Sequence, residues 1–241
     1  MKVAIIYICT GDYSQFFHDF YFSSEKLFLI GQEKEYHIFT DRDDYIIGAF
    51  KQYSNIIVHH IEKFPWPLNT LLRFHYMDMI RSSLISCDYT FFFNANSLFV
   101  NEFDSRCLPG KEHGYLLGVK HPGYSNKIHF LHPHERRNKV SCRIPYSYRK
   151  DYLQGCFNGG RTQEFLRLID KCKTLTDYDL KRNLIARVHD ESYLNFYFFS
   201  ERINVKILSE NYSWPEKYGV NKNAIILMRD KEKCAWYKGI K

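Results

Sequence analysis

The chain has 241 residues, 45% hydrophobic and 25% charged, which is ordinary for a globular protein and long enough to bury a substantial core. A net charge of +7 suits an anionic partner. Lys and Arg are nevertheless dispersed, apart from Arg136–Arg137 and the C-terminal Arg229, Lys231 and Lys233, so a phosphate-reading nucleic-acid module is disfavoured. Seven cysteines without a CxxC pair argue against a disulfide framework, and no apolar run approaches the ~20 residues of an integral membrane segment, so the expectation is a cytoplasmic protein.

Residues 3–8 form a continuous apolar run ending at Thr10-Gly11-Asp12, the pattern of a buried parallel strand rather than a signal peptide. Phe16, Phe17, Phe20, Ser24, Leu27 and Phe28 recur at helical spacing, and Gly31 is expected to close that helix. Residues 36–40 read as a second strand stopped by the charged stretch 41–44, and 56–60 as a third. A helix is expected over about 69–86, then a fourth strand over 89–93 that ends on Asn94-Ala95-Asn96. Such alternation predicts an α/β domain with a single, mostly parallel central sheet flanked by helices. Ligands of open parallel sheets lie beyond the carboxyl ends of the strands, which puts residues 10–13 and 94–96 on one rim. The stretch 120–149, rich in His, Arg, Tyr and Pro, reads as a long loop over that site. Aromatic residues make up 17% of the chain; most are expected in the core, although such rings also stack on sugars and uracil.

His189-Asp190-Glu191 opens an apolar-periodic run that reads as a helix. Acidic groups there can simply complement the helix dipole. They can also stand beside a developing oxocarbenium ion, as nucleophile or as electrostatic stabiliser. Composition alone leaves both open.

Six motifs in chain order carry a resemblance. Residues 189–198, HDESYLNFYF, resemble the HDESxLN signature of glycosyltransferase family 6, which contains the histo-blood-group A and B transferases, α-1,3-galactosyltransferase and shorter bacterial relatives. Tyr13 with Glu25-Lys26 and Phe28 fits the family's first helix, and residues 36–41 resemble its YYVFTD. Asp88-Tyr89 fits the approach to its metal motif, and His121-Pro122-Gly123 resembles its HPG. Residues 152–160 resemble its YLGGFFGG, and Leu208-Ser209 with Trp214 fits a late stretch.

The resemblance implies a GT-A type nucleotide-sugar transferase, a single catalytic domain over 1–241 with a nucleotide-binding half (1–100) and an acceptor-binding half (101–241) that ends in a basic lid. It implies Glu191 as the catalytic glutamate of a retaining transferase and Asp190 as its orienting neighbour. Ile8, Thr10 and Tyr13 fall where the family brackets uracil. Arg73 is the candidate donor-contacting arginine, although aligning residues 77–80 with the family's RMEMI puts Tyr76 in its place. His121 fits the acceptor-contacting histidine, with Gln154 and Trp214 also on the acceptor side. Leu153 and Gly155 fall where the blood-group enzymes separate donors, and a Leu with a small Gly points to UDP-GalNAc over UDP-galactose. The implied acceptor is a fucosylated galactoside, with transfer in α-1,3 linkage.

One departure matters most. Animal members carry Asp-x-Asp, which binds Mn²⁺, where this chain has Asn94-Ala95-Asn96. Neutral amides are poor ligands for a hard divalent ion but can donate hydrogen bonds to phosphate. No divalent metal is therefore expected, and Lys231, flanked by Arg229 and Lys233, is expected to supply the positive charge on the leaving diphosphate. Val188 and Pro215 also depart from the family pattern, both on the acceptor side. The rival readings are a catalytically inactive nucleotide-sugar or glycan-binding protein, a nucleic-acid-binding domain and a metal-assisted hydrolase. The last lacks a His/Asp cluster with ligand spacing.

Overall fold

The computed structural model describes residues 1–148 and 150–236; Arg149, the last position of the 120–149 stretch, and residues 237–241, the end of the expected lid, lie outside the described residues. In chain order the elements are β1 (Lys2–Ile8), α1 (Phe17–Leu27), β2 (Glu33–Thr40), α2 (Asp43–Phe50), β3 (Ile56–His60), α3 (Leu68–Leu71), α4 (Arg73–Met79), α5 (Arg81–Leu84) and β4 (Tyr89–Asn94). Then come β5 (Ser97–Phe99), β6 (Leu116–Lys120), β7 (Leu153–Arg161), α6 (Thr162–Leu180), α7 (His189–Ser200), β8 (Lys206–Leu208), β9 (Trp214–Pro215) and β10 (Ile226–Met228).

Seven strands form the central sheet in the order β3-β2-β1-β4-β7-β6-β8. The pairs β3–β2, β2–β1, β1–β4 and β6–β8 are parallel, and β7 runs antiparallel to both β4 and β6. This is the mostly parallel α/β architecture that the alternating sequence predicts. Strand order reverses between β1 and β4, so a crevice opens beyond their carboxyl ends, at Thr10 and Asn94. β5, β10 and β9 make a small second sheet that carries the chain towards its C-terminal segment.

Both faces of the central sheet are covered, which is why β1 and β4 read as unbroken apolar runs. On one face α1 packs Phe17 and Phe20 against Tyr7, with Phe28, Phe91, Phe93, Phe99 and Phe157 in the same cluster. On the other, Phe74, Met77, Phe165, Ile169 and Leu194 from α4, α6 and α7 form the second core. Burying one such ring stabilises by roughly 1.5–3 kcal/mol. Glycine is required where β4 and β7 come together, because a Cβ at Gly159 would lie 2.4 Å from the Thr90 carbonyl oxygen.

Three local expectations change. The helix expected over 69–86 is broken into α3, α4 and α5, because Leu72 (ψ 3°) and Ile80 (ψ 17°) leave helical geometry. The charged stretch after β2 does more than end a strand, since Asp43 and Asp44 form the first turn of α2, where acids suit the dipole. Gly31 sits at φ +77°, in a turn after α1 has already ended at Leu27. Among its described residues, the 120–149 stretch contains only one short 3-10 turn, His129–Leu131.

Candidate active site

Two adjoining clefts occupy the predicted rim. The smaller, about 130 Å³, is lined by Ile8, Thr10, Tyr13, Asn69, Arg73 and Asn94. The larger, about 570 Å³, shares Tyr13 and Asn94 and adds Asn96, His121, Gln154, Arg229 and Lys231. Thr10 is fixed by Asn69, whose Nδ2 donates to the Thr10 Oγ1 at 3.2 Å. Beyond it the chain turns at Gly11 (φ +57°), whose amide donates to Asp41 Oδ1 at 2.6 Å.

The asparagines join this rim to the C-terminal segment. Asn94 Nδ2 donates to Asn96 Oδ1 at 2.9 Å, and Asn96 Nδ2 donates to the Arg229 carbonyl at 2.8 Å. The Arg229 amide donates back to the Asn96 carbonyl at 2.8 Å. Arg229 also pairs with Asp19 (2.8 Å) and lies over the Phe16 ring, 4.7 Å from its centroid. Lys231 Nζ is 5.8 Å from the centroid of Tyr13, and Trp236 packs edge-on against Tyr13 and Phe16. The basic segment thus lies folded across the mouth of the crevice.

The acidic pair lies at the base of α7. His189 enters the helix at φ +43°, a strained conformation for a non-glycine residue. Asp190 and Glu191 follow in the first turn, both buried. Asp190 Oδ2 pairs with Arg73 Nη1 at 2.6 Å, and the same Nη1 donates to the Gly155 carbonyl at 2.7 Å. The Gly155 amide donates to Glu191 Oε2 at 2.6 Å, so one residue of β7 links Glu191 to the arginine that holds Asp190. There is no room for a side chain there, since a Cβ at Gly155 would lie 3.2 Å from Arg73 and 3.3 Å from Asp190 Oδ2.

Burial dominates the electrostatics. Desolvation pushes the Glu191 carboxyl up to about 7, assisted by the neighbouring Asp190 charge and opposed by Tyr152, the Gly155 amide and Arg73. Asp190 is likewise raised by burial, with Arg73 the main opposing influence. Neither acid lines the open clefts; they form the floor beneath Gly155, whose neighbours Gln154 and Cys156 line the larger one. His121 is also half-enclosed, and desolvation lowers it to about 4, so it is neutral at physiological pH.

Leu153 and Trp214 stand apart from the cleft walls. Leu153 packs in the core against Gly118, with its backbone held at both ends by the Asn195 side chain. Trp214 donates its Nε1 to the Gly219 carbonyl at 2.9 Å, while its neighbours Pro215, Lys217 and Tyr218 face the cleft. Tyr76 is buried in the core, whereas Arg73 is the residue that reaches the acids. Sequence reasoning assigned no role to Tyr152, which lies buried beside Glu191 with its ring against His121 and His134. It also missed Asn195, which ties Leu153 to the Glu191 carbonyl. The signal for both lay inside the quoted motifs, at positions with no assigned chemistry.

Two side-chain amides, Asn94 and Asn96, stand at the rim. The two amides carry no charge and are engaged with each other and with Arg229. Among the described residues no group of three His, Cys, Asp or Glu side chains could hold an ion.

The sequence model of glycosyltransferase family 6 matches residues 1–235. The O-antigen biosynthesis glycosyltransferase WbnI of Escherichia coli is 49% identical over 241 residues, covering 100% of both chains. Globoside alpha-1,3-N-acetylgalactosaminyltransferase 1 of Gallus gallus is 26% identical over 221 residues, 90% of this chain and 63% of the relative. Histo-blood group ABO system transferase 1 of Rattus norvegicus is 26% identical over 204 residues, 81% of this chain and 56% of the relative. The chain therefore spans less than two thirds of these two vertebrate relatives. With the family match covering nearly every residue and the α/β sheet opening its crevice at the predicted rim, this chain belongs to glycosyltransferase family 6.

Proposed function

We propose that the protein is a retaining, metal-independent transferase that moves N-acetylgalactosamine from UDP-GalNAc in α-1,3 linkage to a fucosylated galactoside. The observation that carries this reading is the buried Asp190–Glu191 pair beneath Gly155, facing a rim where Asn96 clasps a segment bearing Arg229 and Lys231. The smaller cleft receives uridine between Ile8, Thr10 and Tyr13. The diphosphate lies along Asn94 and Asn96, which offer amide donors, under Lys231 and Arg229. The sugar stands over Gly155, and the acceptor enters past His121 and Gln154.

In the reaction, the bond from C1 of the sugar to the diphosphate oxygen breaks and UDP leaves with the electron pair. Lys231 and Arg229 offset the charge that accumulates on it. Positive charge at C1 is stabilised by the Glu191 carboxylate, which the Gly155 amide orients, while Arg73 holds Asp190 in place. The acceptor hydroxyl oxygen bonds to C1, and its proton passes to the departing diphosphate. The choice of GalNAc is supported by the relatives named as α-1,3-N-acetylgalactosaminyltransferases; the space beside Gly155 is taken by Arg73 and Asp190 and does not bear on it. Placement in the cytoplasm is supported by seven free cysteines, five of them buried.

The test is a screen of UDP-GalNAc and UDP-galactose on fucosylated and plain galactosides, with the wild type and Lys231→Ala. Transfer of GalNAc to the fucosylated acceptor, reduced about 10²–10³-fold in the variant, supports the proposal. Donor binding without turnover would identify an inactive sugar-nucleotide receptor instead.

A further inference from the structure

The stretch from residue 120 to 150, which joins β6 to β7, carries a charge excess equal to that of the whole chain. It has eight Lys and Arg against one acid, Glu135, a net of +7. The whole chain has 34 Lys and Arg and 27 Asp and Glu, so the remaining 26 basic and 26 acidic residues cancel. Residues 216–241 are also basic, with seven Lys and Arg against three acids, but the 120–150 stretch carries the larger excess.

Within the stretch, the single acid is withdrawn from the surface. Glu135 is 1% exposed, paired with Arg137 at 2.6 Å and capped by the Arg187 amide at 2.8 Å. Lys120 is matched by Asp151 at 3.1 Å. Lys127, Lys139, Arg143 and Lys150 are exposed. Beside Lys127 are three apolar side chains facing solvent, Ile128 (57% exposed), Phe130 (55%) and Leu131 (52%). Phe130 and Leu131 belong to the 3-10 turn His129–Leu131, and Ile128 is its extended N-cap. Isolated exposed apolar residues are common, but three within four positions form a local patch.

The combination selects a partner. Phosphates of a nucleic acid would satisfy the lysines and arginines, and Phe130 could stack on a base, but the aliphatic Ile128 and Leu131 on either side of it gain nothing from stacking. A bilayer containing anionic lipid satisfies both features at once. Its headgroups attract the basic side chains, and its acyl boundary accepts the apolar ones. We propose that the described residues of the 120–150 stretch form a docking surface for an anionic phospholipid bilayer, with Lys127, Lys139, Arg143 and Lys150 meeting the headgroups and Ile128, Phe130 and Leu131 entering the boundary beneath them. His121 and Pro122, at the start of the stretch, line the larger cleft, so docking holds the cleft mouth close to the lipid surface. That consequence for the acceptor rests on the function proposed above, whereas the docking does not.

The experiment is co-sedimentation of the full chain with vesicles of phosphatidylcholine alone or with about a quarter phosphatidylglycerol. The expected result is partitioning at least about tenfold stronger into the anionic vesicles, falling as salt is raised. The triple variant Ile128→Ser/Phe130→Ser/Leu131→Ser and the double variant Lys139→Gln/Arg143→Gln should each lower it by roughly tenfold. All of these are surface positions, so the variants should keep the wild-type circular dichroism spectrum. Equal partitioning into both vesicle types would overturn the proposal, as would binding unchanged in both variants. Displacement by an oligonucleotide that binds the chain more tightly than the vesicles do would reassign the surface to nucleic acid. Because partitioning is read without turnover, failure of the docking and failure of the proposed transfer are separate results.

Discussion

Replacing Glu191 by Gln should abolish sugar transfer and, at the same time, stabilise the fold at alkaline pH. Gln keeps the side-chain oxygen that accepts the Gly155 amide, so the local geometry is preserved. What it removes is a charge held in the dark of the protein. Burial displaces the carboxyl from 4.5 to about 7 in the folded chain. The native state therefore retains a proton that the unfolded chain has released. The sign follows directly: stability from this group is full below about 4.5, declines as pH rises through about 7, and is flat above. The whole decline amounts to about 3 kcal/mol, and a glutamine, which does not ionise, escapes it. Urea unfolding of wild type and variant at pH 5 and pH 8 reads the effect as a difference of differences, in which every other titrating group cancels. The variant's advantage should grow by about 2.5 kcal/mol between the two pH values, or roughly 5–10 °C in Tm. An advantage that is equal at both pH values would refute the claim that Glu191 is a destabilised buried carboxyl.

Three further outcomes follow from the same floor of the site. The kcat/KM for the donor should rise with pH through about 7 and then level, because Glu191 must be ionised, while His121, lowered to about 4, contributes nothing in that range. A pH–rate profile that is flat from about pH 5 to 8 would count against this. Arg73→Ala leaves Asp190 buried without its partner and should cost about 3–5 kcal/mol in chemical denaturation, much more than an exposed arginine would. Gly155→Ala places a methyl 3.2 Å from the Arg73 guanidinium and should lower stability by about 1–3 kcal/mol and turnover together; wild-type behaviour in both assays would show that the floor has slack.

The strands that build the rim were legible because a buried parallel strand has no choice but to be apolar on both faces. β1 and β4 each show this as a short run ended by turn or polar residues, whereas β3, at the sheet edge, is partly exposed and was legible from its β-branched residues alone. The acidic start of α7 was legible for the opposite reason, since two carboxylates before an apolar run are conspicuous. Breaks at Leu72 and Ile80 were not, as residues 68–84 contain neither Gly nor Pro to mark them. Nor could the sequence show that Arg73 and Asp190, 117 positions apart, pair directly beside the Gly155 carbonyl, which accepts from the same guanidinium. Leu153 illustrates a limit of pattern matching: the motif fixes its position on β7, but strand alternation turns its side chain into the core. The asparagines acquired a meaning the sequence did not hold, because Asn96 fastens the backbone at Arg229 and so positions the basic segment itself.

The most direct test of the central claim is the product formed from UDP-GalNAc and a fucosylated galactoside by chelator-treated enzyme in EDTA, with its new linkage read by NMR. An α-1,3-linked product, formed at the same rate with and without the chelator, is the predicted result. A β-linked product, or turnover that appears only when Mn²⁺ is restored, would contradict it.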